Sequence, residues 1–290
     1  MTEPMPLVSV VIPTHNRGAV TLVAIDSVLN QTWRDLELIV VDDGSTDDTP
    51  RMVAEHTRAD SRVRFIRHER KKGAQAARNT GVRSAQGDWV AFLDSDDAWR
   101  SDSLAMRLER AVQTGARVVH SECDVVDSEG ATSRPFGVPP MEGRIYRELL
   151  RRPGPMFQGL LVRKETLRRI AYLDESLVAY QEWDTAIRLA RDEEFAFVPT
   201  PTFTYDRRRE DSISRNRLRA AVAYEHVVTK HRWSILRTVG PRVLATHYRT
   251  AAGLYRTANQ AAETRRCLRA AFFLWPFRPQ AILRRLQARA

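Results

Sequence analysis

Three carboxylates crowd into four residues at Asp94, Asp96 and Asp97, directly after the apolar run Val90-Ala91-Phe92-Leu93. Partly withdrawn from water they repel one another, and a divalent cation is the usual agent of compensation. An acidic turn capping the next helix accounts for the same residues, so the segment alone leaves both readings open. Two further polar loops sit after apolar runs. Thr14-His15-Asn16-Arg17 follows Val8-Ser9-Val10-Val11-Ile12 and its stop at Pro13, and Asp42-Asp43 follows Leu36 to Val41.

The elements that must position these loops alternate. The runs at 8–12, 36–41, 63–66 and 90–93 read as strands, the first and the last of them buried. Between them, Leu22, Ile25 and Leu29 share a helical face, Thr49-Pro50 supplies an N-cap with proline at the first helical position, and Gly73 to Ala85 is an alanine-rich helix. Gly81 inside that helix signals close packing. Strand and helix in alternation predict an α/β fold with a Rossmann-like, mostly parallel sheet flanked by helices. In such a sheet the loops after the first, second and fourth strands share the carboxyl edge, where ligands bind.

Beyond Asp97 the alternation becomes irregular. Arg117 to His120, Met156 to Val162, Phe195 to Val198 and Thr202 to Tyr205 read as short strands, with helices from Lys164 and from Gln181. From Asn216 the pattern is helical, broken at Gly240-Pro241 and again at Pro276 and Pro279. The expected division is therefore a catalytic-type α/β domain over 1–214 and a helical module over 215–290.

At 290 residues, 43% hydrophobic and 28% charged, the chain has the composition of an ordinary globular protein. Its two cysteines, Cys123 and Cys267, have no metal-type spacing and suit a reducing compartment. Met1 to Pro6 has neither the basic nor the apolar part of a secretory signal, and no apolar run approaches the roughly 18 residues that span a bilayer. A cytoplasmic location is the expectation. The net charge of +10 is uneven: residues 215–290 hold 16 Arg and Lys against two acids, and residues 1–214 hold 30 against 34. A tail of net +14, with Phe272, Phe273, Trp275 and Phe277 set among arginines, suits either a solvated surface or peripheral contact with an anionic membrane. No motif for RNA or DNA accompanies it, so nucleic acid is not expected as a partner. The glycine-rich loops of dehydrogenases (G-x-G-x-x-G) and P-loop NTPases (G-x-x-x-x-G-K-[ST]) are also missing.

Five segments, VSVVIPTHNR (Val8 to Arg17), QTWRDLELIVVDDGSTDDT (Gln31 to Thr49), GAQAARNTG (Gly73 to Gly81), FLDSDD (Phe92 to Asp97) and QEWDTAIRLA (Gln181 to Ala190), together resemble the ordered motif series of family 2 glycosyltransferases. The resemblance covers roughly the first 205 residues. It implies a GT-A fold, an inverting sugar transfer from a nucleotide-diphosphate sugar, and Mn²⁺ or Mg²⁺ as cofactor. It also implies residue roles. Pro13, His15 and Arg17, with Thr14 and Asn16 beside them, match positions that contact the nucleotide. Asp43, in preference to Asp42, matches a carboxylate that accepts a hydrogen bond from the base, and Arg78 a basic side chain that holds the nucleotide. Asp94-Ser95-Asp96 matches the D-x-D motif, with Asp94 toward the ribose, Asp96 on the metal and Asp97 a co-ligand. The implied acceptor is a glycan, a lipid-linked glycan or a secondary metabolite, and the tail is similar to helical extensions on some bacterial members.

Two positions depart from the pattern. The base motif usually reads Glu-Asp or Gln-Asp before Trp-Asp; here it is Gln181-Glu182-Trp183-Asp184, so Glu182 is the implied general base and Asp184 the alternative. Arg209 stands where many members carry a histidine, and it suits clamping a diphosphate rather than binding a metal. The rivals are a non-catalytic sugar-nucleotide-binding protein, a nucleotidyltransferase lacking its usual G-x-G-x-R-type loop, and a nucleic-acid-binding module acting through the tail.

Overall fold

The structure, a computed structural model, describes residues 6–58, 60–126, 132–133, 140–206 and 216–276. The chain divides into two compact units, Met1–Ser212 and Ile213–Ala290.

The first unit begins with the expected alternation: β1 (Val8–Thr14), α1 (Gly18–Leu29), β2 (Leu36–Asp42), α2 (Thr49–Thr57), β3 (Val63–Arg67), α3 (Ala74–Ser84) and β4 (Trp89–Phe92). These four strands pair in parallel, in the order β3-β2-β1-β4. Every residue of β1 and β2 is buried, which is why both are mainly apolar without strict alternation, and the polar pair they carry, Ser9 and Glu37, is hydrogen-bonded at 2.6 Å. The register sets Thr14 opposite Asp42 and Val11 opposite Phe92, so the first, second and fourth loops leave the same edge.

Then follow β5 (Ala98–Trp99), α4 (Ser103–Thr114), β6 (Val118–Val126), β7 (Thr132–Ser133), α5 (Tyr146–Leu149), β8 (Leu161–Arg163), α6 (Lys164–Arg169), α7 (Gln181–Leu189) and β9 (Phe195–Asp206). This half continues the sheet in mixed fashion. β8 lies antiparallel to β4 and β6, β9 runs parallel to β6, and β5 is antiparallel to β9.

Several elements differ from their sequence reading, each for a local reason. The stretch from Met156 supplies only a short β8, because Phe157–Gly159 turns as a 3-10 helix instead. A Cβ on Gly159 would lie 2.9 Å from Ser121 Oγ and 3.1 Å from the Phe203 ring, so the turn is wedged against β6 and β9. The two short strands expected around Phe195 and Thr202 are one strand. Pro199 and Pro201, which cannot donate to a ladder, are absorbed where its register with β6 shifts beside Ser121 and Glu122. Thr49 is the first residue of α2 rather than its cap. Its hydroxyl accepts the backbone N–H of Arg17 at 3.0 Å, tying the helix to the loop after β1.

The second unit consists, in its described residues, of α8 (Arg217–Thr238), α9 (Pro241–Thr257) and α10 (Ala261–Leu274). Asn216 caps α8 by accepting from Arg219 N. Gly240, at φ 90°, makes the turn into α9 that its sequence announced. The break between α9 and α10 was not expected; Asn259 makes it in the left-handed region, at φ 59°. Glu225 accepts from Tyr255 and from both ends of the Arg266 guanidinium, joining α8, α9 and α10.

Gly81 shows how tightly α3 lies on β1: an added Cβ would come 2.4 Å from Cγ1 of the fully buried Val11. Gly81→Val is therefore expected to destabilise the protein by about 1–3 kcal/mol through overpacking. Urea denaturation measures this, and an unchanged midpoint would contradict the packing.

Candidate active site

Pro13 and Thr14 end β1, and the chain then turns through Asn16, a non-glycine residue at φ 53°. That conformation is held by a stitch to the loop after β2. Asn16 N donates to Ser45 Oγ at 2.8 Å, and Thr46 N donates to Asn16 Oδ1 at 2.9 Å. The Thr14 hydroxyl lies 2.7 Å from that of Thr21 on α1. Thr14 and Asn16 thus shape the loop, while Arg17 extends from it to the carboxylates after β4.

The acidic pair after β2 is structural to a degree that the sequence did not reveal. Asp42 is fully buried, accepts from the backbone and hydroxyl of Ser45, and pairs with Arg67 Nε at 3.2 Å. Asp43 lies 2.9 Å from His68 Nδ1 and accepts from the backbone N–H groups of Lys72 (2.8 Å) and Gly73 (2.7 Å), fixing the entry to α3. A carboxylate offers about four acceptor positions, so Asp43 keeps capacity for one more donor.

Beyond β4 the three carboxylates gather. Ligand atoms of Asp94, Asp96 and Asp97 lie within 4.8 Å of one another. Each has a protein partner. Arg17 Nη1 meets Asp96 Oδ2 at 2.7 Å, Arg78 Nη2 pairs with Asp94, and Gln158 Nε2 donates to Asp94 Oδ2 (2.8 Å) and Asp97 Oδ2 (2.6 Å). Arg78 is itself buried, held by Gln75 Oε1 at 2.6 Å, and its guanidinium lies 4.7 Å above the centre of the Phe157 ring. Ser95 is buried beside them. An all-oxygen donor set at this spacing fits a hard divalent cation such as Mn²⁺ or Mg²⁺. Among the described residues, His15 Nδ1, Gln75 Nε2 and Arg78 Nε are three of the several buried side-chain atoms without a hydrogen-bond partner. Those of Gln75 and Arg78, joined to Asp94, are groups that a polar ligand can satisfy.

The site also contains Glu182, in the first turn of α7, which follows a left-handed Tyr180 at φ 55°. Burial pushes the Glu182 carboxyl up from its ordinary value; the charge of Asp94 adds to the shift and that of Arg78 opposes it. Glu182 thus shares its electrostatic surroundings with the acidic loop although it comes from a distant segment. Asp184 is fully buried and bonded to Arg188 Nε at 2.9 Å, and Arg188 Nη1 donates in turn to the carbonyls of Ile170 and Tyr172. Trp183 is buried as well, donating from Nε1 to the Leu149 carbonyl at 2.7 Å, which makes it a packing residue. Arg209 lies outside the described residues.

Sequence reasoning missed Gln158 and Gln75. Gln75 lay inside a quoted motif and was passed over as helix; Gln158 carried no signal, because its stretch read as a strand. A cleft of about 800 Å³, lined in part by Leu7, Trp89, Val112 and Arg163, lies at the opposite, amino-terminal ends of β1 and β4. It holds none of these groups.

A mixed α/β sheet with carboxylates and arginines gathered at the carboxyl edge of its parallel half defines a GT-A type of fold. The same fold occurs in a mannosyltransferase from Pyrobaculum calidifontis solved in complex with GDP-Man and Mn2+ (TM-score 0.66, 20% identity, 95% of this chain and 89% of that one). The family model for glycosyl transferase family 2 matches residues 9–170, and the chain belongs to that family. Among curated relatives, succinoglycan biosynthesis protein ExoO of Rhizobium meliloti is 40% identical over 134 residues, which is 46% of this chain and 38% of the relative. The Escherichia coli enzyme WfgD, a UDP-Glc:alpha-D-GlcNAc-diphosphoundecaprenol beta-1,3-glucosyltransferase, is 34% identical over 148 residues, 51% of this chain and 56% of the relative. The matches therefore span about half of each relative's length, or less.

Removing the Asp184 carboxylate strands a largely buried guanidinium. Asp184→Ala is expected to lower stability by roughly 3 kcal/mol, measured by chemical denaturation; a neutral effect would return Asp184 to the candidates for chemistry.

Proposed function

We propose that this protein is an inverting, metal-assisted glycosyltransferase that moves a sugar from a nucleotide-diphosphate sugar to an acceptor hydroxyl, with Glu182 as general base. The observation that carries the reading is the placing of one ionisable carboxylate, from α7, within the electrostatic reach of both Asp94 and Arg78. The other site carboxylates are occupied by arginine, by Gln158 or by backbone donors. Inversion needs a base on the face of the sugar opposite the leaving diphosphate, and Glu182 is the carboxylate left for it.

In this reading His15, Gln75 and Arg78 hold the nucleotide with their unpartnered donors, and the remaining acceptor position of Asp43 receives an N–H of the base. Asp96 and Asp97 hold the cation, which when bound offsets charge on the departing nucleoside diphosphate. Arg17 exchanges its hold on Asp96 for the diphosphate. Glu182 takes the proton of the acceptor hydroxyl as its oxygen bonds to the anomeric carbon, and the electrons of the breaking bond leave on the diphosphate. The similarity to WfgD supports a lipid-linked glycan as acceptor, and the similarity to ExoO supports polysaccharide biosynthesis as the setting.

Glu182→Gln tests the reading. Turnover is expected to fall about 10²–10⁴-fold while donor affinity stays near that of the wild type. Because a base works ionised, wild-type turnover should drop on the acid side with a midpoint above 4.5, the ordinary glutamate value. The raised pKa also means that the folded state binds the proton more tightly than the unfolded chain. Stability from this group is therefore lost as pH rises through the folded pKa, and Glu182→Gln should melt at a higher temperature than wild type at neutral pH. Full turnover in Glu182→Gln would end the assignment; donor binding without turnover in the wild type would favour a silent sugar-nucleotide-binding protein.

A lipid-linked acceptor lies at a membrane surface, and no helix among the described residues is long and apolar enough to cross one. The reading therefore includes peripheral contact with an anionic leaflet, on its cytoplasmic side, through the second unit. One face of α10 exposes Leu268, Phe272 and Phe273 together with Arg265 and Arg269, opposite the buried Cys267 and Ala271. Basic residues near such a surface contribute on the order of 1 kcal/mol each, screened by salt. Co-sedimentation with anionic vesicles should be strong at low salt, weaken as salt rises, and weaken further in Phe272→Ser/Phe273→Ser. Absence of binding at any ionic strength would make this face an ordinary solvated surface.

A further inference from the structure

The three carboxylates after β4 are held by three side chains, and two of these, Arg17 and Arg78, neutralise charge directly. The third is uncharged. Gln158 is 5% exposed and gives its amide nitrogen to two different carboxylates, Asp94 and Asp97. Only the NH₂ end of the amide can face two carboxylates, since the carbonyl end would add a third acceptor to them. Both of its N–H groups are committed, one to each carboxylate, so a single nitrogen sets their separation.

The main chain that carries this amide is fixed from behind. The main-chain carbonyl of Gln158 accepts from Trp99 Nε1 at 2.8 Å and from Arg107 Nη1 at 3.3 Å, and Arg107 Nη1 also reaches the carbonyl of Leu160 at 3.1 Å. Arg107 is fully buried, and the partners recorded for it are the carbonyls of Gln158 and Leu160, the backbone and hydroxyl of Ser103, and the ring of Trp99, 4.4 Å away. Its guanidinium is spent on the main chain either side of Gly159. On either flank of Gln158 the turn is held too, Phe157 between Arg78 and the Phe92 ring, and Gly159 against Ser121 and Phe203. The amide therefore reaches Asp94 and Asp97 from a fixed backbone, and it is itself buried there.

We propose that Gln158 is the positioning residue of the cation site: held through its main-chain carbonyl by Trp99 and Arg107, it sets the spacing of Asp94 and Asp97 before any cation arrives. The proposal rests on the metal-assisted reading of the site. Its physical content is preorganisation. Without the bridging amide, Asp94 and Asp97 repel and separate, which carries the co-ligand Asp97 away from its place beside Asp96, and a cation must draw it back at the expense of its own affinity.

The test is Mn²⁺ binding by the full-length chain, without nucleotide or acceptor, followed through the loss of the free-ion EPR signal. Gln158→Met keeps the length of the side chain and removes both donors. Its affinity for Mn²⁺ should be about 10–100-fold weaker than wild type, the range observed when groups behind metal ligands are lost. Gln158→Asn keeps the amide and shortens its reach, so that it can serve only one carboxylate; it should bind Mn²⁺ with affinity between the two. It carries the same readout if Gln158→Met does not fold. Circular dichroism of each variant without metal separates loss of fold from loss of positioning. Wild-type affinity, or tighter binding, in a folded variant would overturn the proposal and leave the metal reading standing. Failure of the wild-type chain to take up Mn²⁺ would overturn both.

Discussion

Three like charges at the end of one strand are the constraint around which the first unit is arranged. Asp94, Asp96 and Asp97 share a short loop and a spacing that no isolated peptide would keep, because their repulsion grows as water is excluded. The protein meets each with a donor from a different part of the chain: Arg17 from the loop after β1, Arg78 from α3, and Gln158 from the turn before β8. These contacts draw the parallel half of the sheet and its antiparallel continuation to one place. The mixed topology thus has a chemical counterpart, since the turn entering the first antiparallel strand brings the uncharged donor.

Much of this was legible in the chain. Four strands with crossovers, three of them buried and β3 partly so at the sheet's edge, and the three loops at one edge, follow from apolar runs and their stops. The parallel register bears this out, with Thr14 opposite Asp42. The contents of the loops were less legible. A carboxylate that caps a turn and one that awaits a ligand are written with the same letter, and only the donors around Asp42 and Asp184 distinguish them. Gln158 was hidden for a second reason. Its neighbours Met156, Phe157 and Leu160 have the apolar character of a strand, and the close contact of Gly159 with Phe203 that forces a turn spans 44 positions of sequence. Local pattern carries no information at that range.

The second unit was read correctly as helical and incompletely as to its joints. Gly240-Pro241 announced its turn, because glycine reaches a positive φ freely and proline suits a helix start. The bend at Asn259 also needs a positive φ, but on a residue that is tolerated there rather than favoured, so composition gave no warning. Charge was informative in aggregate and silent in detail. Of the few acids in this part of the chain, Glu225 is engaged by Arg266, while Arg265 and Arg269 stand exposed.

The stitch between the loops after β1 and β2 bears on how a ligand would be received there. Asn16, Ser45, Thr46, Thr49 and Arg17 are joined through backbone N–H groups, so the shape of that loop does not wait for an occupant. Immobilising a flexible side chain on association costs about 0.5–1.5 kcal/mol, and ordering a loop costs more. Here that entropy is lost once, when the chain folds. Association at this edge then resembles the filling of a mould more than the closing of a hand, and its temperature dependence is governed by the surface removed from water rather than by chain ordering.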